Sequence, residues 1–108
     1  TEEELAFGIH AGDVETSLML HFRPDLVRMD KAENFAPASI AIAEEFDLLR
    51  PTGFTAFGWT APDLHPSGAA GDASRATAEK GRATAEFAAE AFIRLLHDVK
   101  RFSLDRLA

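Results

Sequence analysis

The chain has 108 residues, 46% hydrophobic and 27% charged, with 18 acidic against 11 basic side chains and a formal net charge of −7. That profile excludes a disordered segment and suits one domain burying roughly two-thirds of its unfolded surface, while the acidic balance without a basic cluster argues against nucleic-acid binding. No apolar run reaches the roughly 20 residues that span a membrane, and the absence of cysteine excludes disulfides, thiol catalysis and Cys-based zinc sites and fits a reducing cytoplasm.

Thr1 to His10 has neither the positive start nor the hydrophobic centre of a signal peptide, and its acidic stretch reads as a loop. Residues 8–20, Gly-Ile-His-Ala-Gly-Asp-Val-Glu-Thr-Ser-Leu-Met-Leu, carry the most information. Ala11-Gly12 frees the backbone and Asp13 is a suitable N-cap. Val14, Leu18 and Phe22 recur every four residues and predict a helix from Asp13 to Phe22 with one apolar stripe, ended by Pro24. His10 then lies just outside the positive end of that helix, where added positive charge is disfavoured. It is expected to be neutral and able to exchange protons at about pH 7. Glu15, in the first turn and off the Val14 stripe, is suited either to capping the helix or to facing a metal.

Beyond the helix, Pro24 and Asp25 predict a turn, and the mixed charges from Arg28 to Asn34 a solvated stretch. Ile40, Ala43 and Phe46 lie at helical intervals and give a short helix over Ser39 to Leu48, bracketed by Pro37 and Pro51. Gly53 to Thr60, with Phe54, Phe57 and Trp59, favours a strand or extended arm in which Trp59 packs rather than stacks on substrate. Asp63 to Gly71 is a loop whose Asp63 and His65 make only a weak metal pair; a hydrogen-bonded loop at the rim of a site is the better reading. The last helix, capped by Asp72 or Ser74, runs to about Val99 on two apolar series, Ala83-Phe87-Ala91-Leu95-Val99 and Ala88-Phe92-Leu96. Gly81 interrupts it at a cost of about 1 kcal/mol relative to Ala, so a close approach by a neighbour is expected there. Arg75, Lys80 and Arg82 near its start could meet an anionic group, but a solvated face or ion pairs is the better reading. Helices bury their apolar faces against something, so the chain is expected to be unstable alone.

Residues 10–20 resemble the signature His-Ala-Gly-Glu-x-Glu-Thr-Ser-x-Met-Leu of the creatininase (creatinine amidohydrolase) family of metal-dependent amidohydrolases. A second run, Asp63-Leu64-His65-Pro66-Ser67-Gly68, Gly71-Asp72-Ala73-Ser74 and Ala76-Thr77-Ala78-Glu79-Lys80-Gly81-Arg82, is similar to the end of the same family. The resemblance implies an α/β fold class: residues 1–108 as the helix-rich C-terminal part of a layered α/β domain with a central, mainly parallel sheet. It also implies two divalent metal ions, zinc, manganese or iron, bound mostly by Glu-x-His, Asp and Gly-His-Gly-Gly-Asn or His-x-Glu segments. None of those histidine-bearing runs occurs here, and the chain starts at Thr1. The expectation is the C-terminal portion of a longer enzyme, partnered by the N-terminal half that holds most metal ligands. By the same resemblance His10 matches the family histidine beside the metals, as a proton shuttle, and Glu15 matches a glutamate at or just behind the second metal. Asp13 replaces a frequent Glu, Gly8 stands where some members have a polar residue, and the aromatics that cover creatinine are not recognisable. The implied activity is hydrolysis of a C–N bond in a cyclic or linear small-molecule amide by metal-activated water. The expected setting is a cytoplasmic homo-oligomer, a hexamer by resemblance, without nucleic-acid or membrane partners. The alternative is a noncatalytic helical interaction or assembly subunit that keeps the family shape.

Overall fold

Thr1 begins not a loop but a helix. In a computed structural model, which describes residues 1–107, the Thr1 hydroxyl accepts from the Glu4 N–H at 3.1 Å and starts α1 (Glu2–Phe7). Glu2, Glu3 and Glu4 all fall in its first turn, where carboxylates complement the positive helix end. The helix α2 (Asp13–Phe22) has the predicted bounds. Its N-cap is Gly12 rather than Asp13, and the Asp13 N–H is satisfied from elsewhere, by Glu4 Oε1 at 2.8 Å. Pro24 opens a single 3-10 turn, Pro24–Leu26, pinned by the Arg23 guanidinium donating to both oxygens of Asp25 at 2.9 and 2.6 Å.

A second 3-10 turn (Met29–Lys31) leads into β1 (Asn34–Phe35), which pairs antiparallel with β2 (Gly71–Asp72), Asn34 opposite Asp72 and Phe35 opposite Gly71. Between them lie α3 (Ser39–Glu45), shorter than the predicted Ser39 to Leu48 because the backbone turns extended at Phe46, and α4 (Ala61–Leu64). Of the strand or extended arm expected over Gly53 to Thr60, no strand forms: the stretch begins with a turn and makes one bridge, between Arg50 and Ala56. Trp59 packs there, its indole N–H donating to Pro51 O at 2.7 Å. The last long helix, α5 (Ala78–Arg101), is capped by the Thr77 hydroxyl, which accepts from the Lys80 N–H. Asp72 instead caps the short 3-10 turn Ala73–Arg75, receiving the Ser74 N–H and hydroxyl.

The crossing of α2 and α5 organises the molecule. It is not made by the Val14-Leu18-Phe22 stripe: Val14 and Phe22 are 52% and 60% exposed, and the buried residue of α2 is Ser17, at 1%. A small side chain at Ser17 and none at Gly81 let the two backbones touch. The Ser17 hydroxyl accepts from the Thr77 N–H at 3.1 Å and donates to Asp13 Oδ1 at 3.1 Å. Lys80 Nζ reaches both oxygens of the same Asp13 carboxylate, at 2.8 and 2.7 Å.

A second clamp is the Glu4 carboxylate. Oε1 takes the Asp13 N–H at the start of α2, and Oε2 takes the Asp72 N–H of β2 at 2.7 Å. The room it occupies exists because Gly12 and Gly71 lack side chains: a Cβ on Gly12 would lie 2.1 Å from Glu4 Oε1, and one on Gly71 2.7 Å from Gly12 Cα.

Little apolar surface is buried by these contacts. Leu64, Ala70, Ala73 and Ala76 are the buried apolar residues, whereas Phe87, Phe92 and Val99 on α5 are 58–70% exposed. The radius of gyration, 17.6 Å, exceeds the roughly 13 Å of a compact 100-residue domain, consistent with a long helix whose apolar face has no partner among the described residues.

Two substitutions test this framework. Helix propensity alone predicts that Gly81→Ala stabilises by about 1 kcal/mol. The added Cβ would stand 1.9 Å from the Ser17 carbonyl oxygen, so the expected outcome is destabilisation by about 1–3 kcal/mol, read as a lower urea midpoint. Glu4→Gln keeps the size but turns one acceptor into a donor facing an N–H, and is expected to cost about 1–3 kcal/mol in the same unfolding measurement.

Candidate active site

His10 is fixed through its backbone. The Ile9 and His10 N–H groups both donate to Ala70 O, at 2.8 and 3.1 Å, and the Ala70 N–H returns a bond to His10 O at 2.8 Å. This antiparallel bridge ties the start of the first sequence run to the middle of the second. Further along, Gly12 meets Gly71, Asp13 meets Lys80 and Ser17 meets Gly81, so the two runs form one continuous contact.

Between the bridge and α2 the chain makes a sharp turn at Ala11, whose φ of 54° lies in the left-handed region. For a residue with a Cβ this conformation costs about 1–2 kcal/mol. Glu15 supports it by reaching back from the first turn of α2, where Oε2 accepts the Ala11 N–H. This is not the helix cap expected of Glu15: Ala11 precedes the Gly12 N-cap, so the carboxylate ties the turn ahead of the helix. The same oxygen lies 3.5 Å from His10 Nδ1, too long for a strong hydrogen bond. Both side chains are 56% exposed.

His10 and Glu15 stand at a cavity of about 410 Å³. Met19 of α2, Leu26 and Val27 of the following turn and Phe35 of β1 supply apolar walls, and Arg28 and Lys31 line the same space. Neither the cations of this cavity nor the support of the His10 turn is visible in the sequence pattern. The Arg28 to Asn34 stretch reads as solvated, and only the fold brings Arg28 and Lys31 to the cavity; Glu4 reads as part of a loop, yet it holds the turn that carries His10.

Metal binding needs more donors than this pair. Among the described residues no group of three or more His, Asp or Glu side chains converges as a metal site. Neither His10 Nε2 nor Glu15 Oε1 is engaged in a hydrogen bond among the described residues, so the pair can supply one edge of a metal centre and cannot complete one. Asp63 and His65 do not join it. Asp63 Oδ2 accepts from the N–H and hydroxyl of Thr60, both at 2.7 Å, a capping box that starts α4. The Thr60 hydroxyl first, and its N–H second, lower the Asp63 carboxyl pKa below its ordinary value. His65 Nδ1 bonds Ser67 within the predicted hydrogen-bonded loop, and its ring meets Phe35 edge-on at 5.6 Å. Of the three cations early in the second run, Lys80 pairs with Asp13, and Arg82 lies 3.6 Å from Glu86.

Comparison with known proteins agrees with this arrangement. The family model described as creatininase, creatinine amidohydrolase, matches residues 1–96. A mycofactocin precursor peptide peptidase from Mycobacterium ulcerans (strain Agy99) is 40% identical over 75 residues, which are 68% of this chain and 26% of that protein. A crystal structure described as a creatinine amidohydrolase from Bacteroides fragilis NCTC 9343 superposes with a TM-score of 0.63 at 25% identity, over 91% of this chain and 37% of that one. The chain thus spans about a quarter to two-fifths of the length of these relatives. The fold is accordingly a helix-rich portion of an α/β architecture. With its two motif runs packed as one unit around His10, the chain belongs to the creatininase family of hydrolases.

Proposed function

We propose that this chain supplies His10 and Glu15 to the active site of an amidohydrolase that cleaves a C–N bond in a cyclic or linear amide. The observation that carries the reading is the His10–Glu15 pair, 3.5 Å apart at the edge of an apolar-walled cavity and held by the family's own motif. Hydrolysis adds water across the bond: the oxygen ends on the acyl carbon, and the nitrogen leaves once it has gained a proton. His10 is the proton handler. It takes a proton released as the water oxygen attacks and delivers it to the departing nitrogen, and the adjacent Glu15 carboxylate stabilises the imidazolium in between. Glu15 has a second task in holding the Ala11 turn, so it orients His10 as well as charging its surroundings.

In this proposal two divalent ions, zinc, manganese or iron, bound mainly by residues outside this chain with Glu15 at or beside one of them, supply the activated water and polarise the carbonyl. The apolar face of α5, with Phe87, Phe92 and Val99, then packs against the remainder of the enzyme, within a homo-oligomer. That same exposed face supports a second reading, an assembly subunit without activity of its own.

The test uses the intact, metal-loaded enzyme. His10→Ala is expected to lower kcat by roughly 10²–10⁴-fold with metal content, measured by plasma mass spectrometry, nearly unchanged. Wild-type turnover in that variant would remove His10 from the chemistry. A protein without amide hydrolysis at all would favour the assembly role.

A further inference from the structure

The cavity beside His10 has a charge balance opposite to that of the chain. The chain is −7, yet the cavity is lined by two cations, Arg28 and Lys31, and by one carboxylate, Glu15, which is already committed to Ala11 and His10. Among the described residues neither Arg28 nor Lys31 forms an ion pair; the pairs present are Arg23–Asp25, Lys80–Asp13, Arg82–Glu86 and His10–Glu15.

The two cations are placed by one piece of backbone. The Lys31 N–H donates to Arg28 O at 3.0 Å across the 3-10 turn Met29–Lys31. Arg28 caps that turn and Lys31 ends it, so one tight turn brings both residues to the lining of the cavity. The apolar residues Met19, Val27 and Phe35 line the same cavity. A ligand that satisfies all of these is amphipathic: an apolar body next to a small planar anion, for which a guanidinium offers paired donors and an ammonium a point charge.

We propose that Arg28 and Lys31 form a carboxylate subsite of this cavity, so that the amide cleaved beside His10 is one that carries a free carboxylate joined through an apolar segment. The assignment rests on the amidohydrolase reading for the word "cleaved", while the binding of the carboxylate stands on the cavity alone. The same chemistry occurs in a small N-acyl amino acid and at the C-terminus of a peptide.

Both sources are tested on the intact enzyme by calorimetric binding and by turnover. The probes are N-benzoylglycine against N-ethylbenzamide, which lacks the carboxylate, and acetyl-tetraalanine against its C-terminal amide. The expected result is that wild-type protein binds the acid of at least one pair roughly tenfold or more tighter than its neutral partner, and that this preference shrinks as salt rises. In Arg28→Gln/Lys31→Gln the ratio falls to about one, and in Arg28→Lys, which keeps the charge, a preference remains. Both positions are exposed, and a thermal melt checks that the variants stay folded. Preference in only one pair assigns the subsite to that source. A wild-type ratio near one, or a ratio that the double substitution leaves unchanged, overturns the proposal. Because binding is read without turnover, charge-selective binding with no cleavage of any amide removes the amidohydrolase reading and leaves the subsite; cleavage without charge selectivity does the reverse.

Discussion

Everything in this chain that concerns chemistry hangs on the contact between Ser17 and Gly81. Where the two helices cross, there is no room for a Cβ on one side and only a hydroxyl on the other. The hydroxyl is used twice, as acceptor for the Thr77 N–H and as donor to Asp13, so a contact too close for ordinary side chains is also a polar one. The Lys80–Asp13 pair lies alongside, with the Asp13 side chain only 14% exposed, which gives it more weight than an ion pair in free solvent. Packing of large apolar side chains, the usual source of stability, is a minor contributor here, since the buried apolar set is one leucine and three alanines. The fold is specified by close approach and hydrogen bonding, and leaves its larger apolar faces for other partners.

The site inherits that logic. Glu4 is the counterpart of Ser17 at the other end of the contact: one carboxylate bridges the start of α2 and β2, in space left by two glycines. The turn carrying His10 is thereby trapped between a bridge to Ala70 and the beginning of α2. A left-handed Ala11 persists because both sides are fixed and Glu15 takes its N–H. Strain of this kind persists only where the surrounding structure fixes both sides of the turn, as the Ala70 bridge and α2 do here.

How much of this was legible in the sequence depended on whether the cause was local. The bounds of α2 were, because Gly12 and Pro24 act on their own neighbours, and so was the need for a close neighbour at Gly81. The inward face of α2 was not: periodicity pointed to Val14, Leu18 and Phe22, but a crossing this tight selects the smallest side chain, and Ser17 won. Thr1–Phe7 resembled a loop because its acids have no nearby partners, while the partner of Glu4 that matters is 68 residues away. Arg28 and Lys31 are exposed, as expected of solvated charges, but their place beside a cavity leaves no mark in hydrophobic spacing. Asp72 and Ser74 looked like caps for the last helix and were displaced by Thr77, since the intervening 3-10 turn uses them first.

The spacing of these contacts along the chain bears on how the protein comes into being on the ribosome. Asp13 meets Lys80 across 67 residues, Ser17 meets Thr77 across 60, and Glu4 meets Asp72 across 68. At roughly 5–20 residues per second, α2 emerges some seconds before the segment it must close against. During that interval Ser17 has no Gly81 to close against, and the His10 turn has no bridge to hold it. Nothing resembling the candidate site exists until the second run has been synthesised, so the His10 turn takes its shape only after Ala70 and Gly71 have followed it off the ribosome.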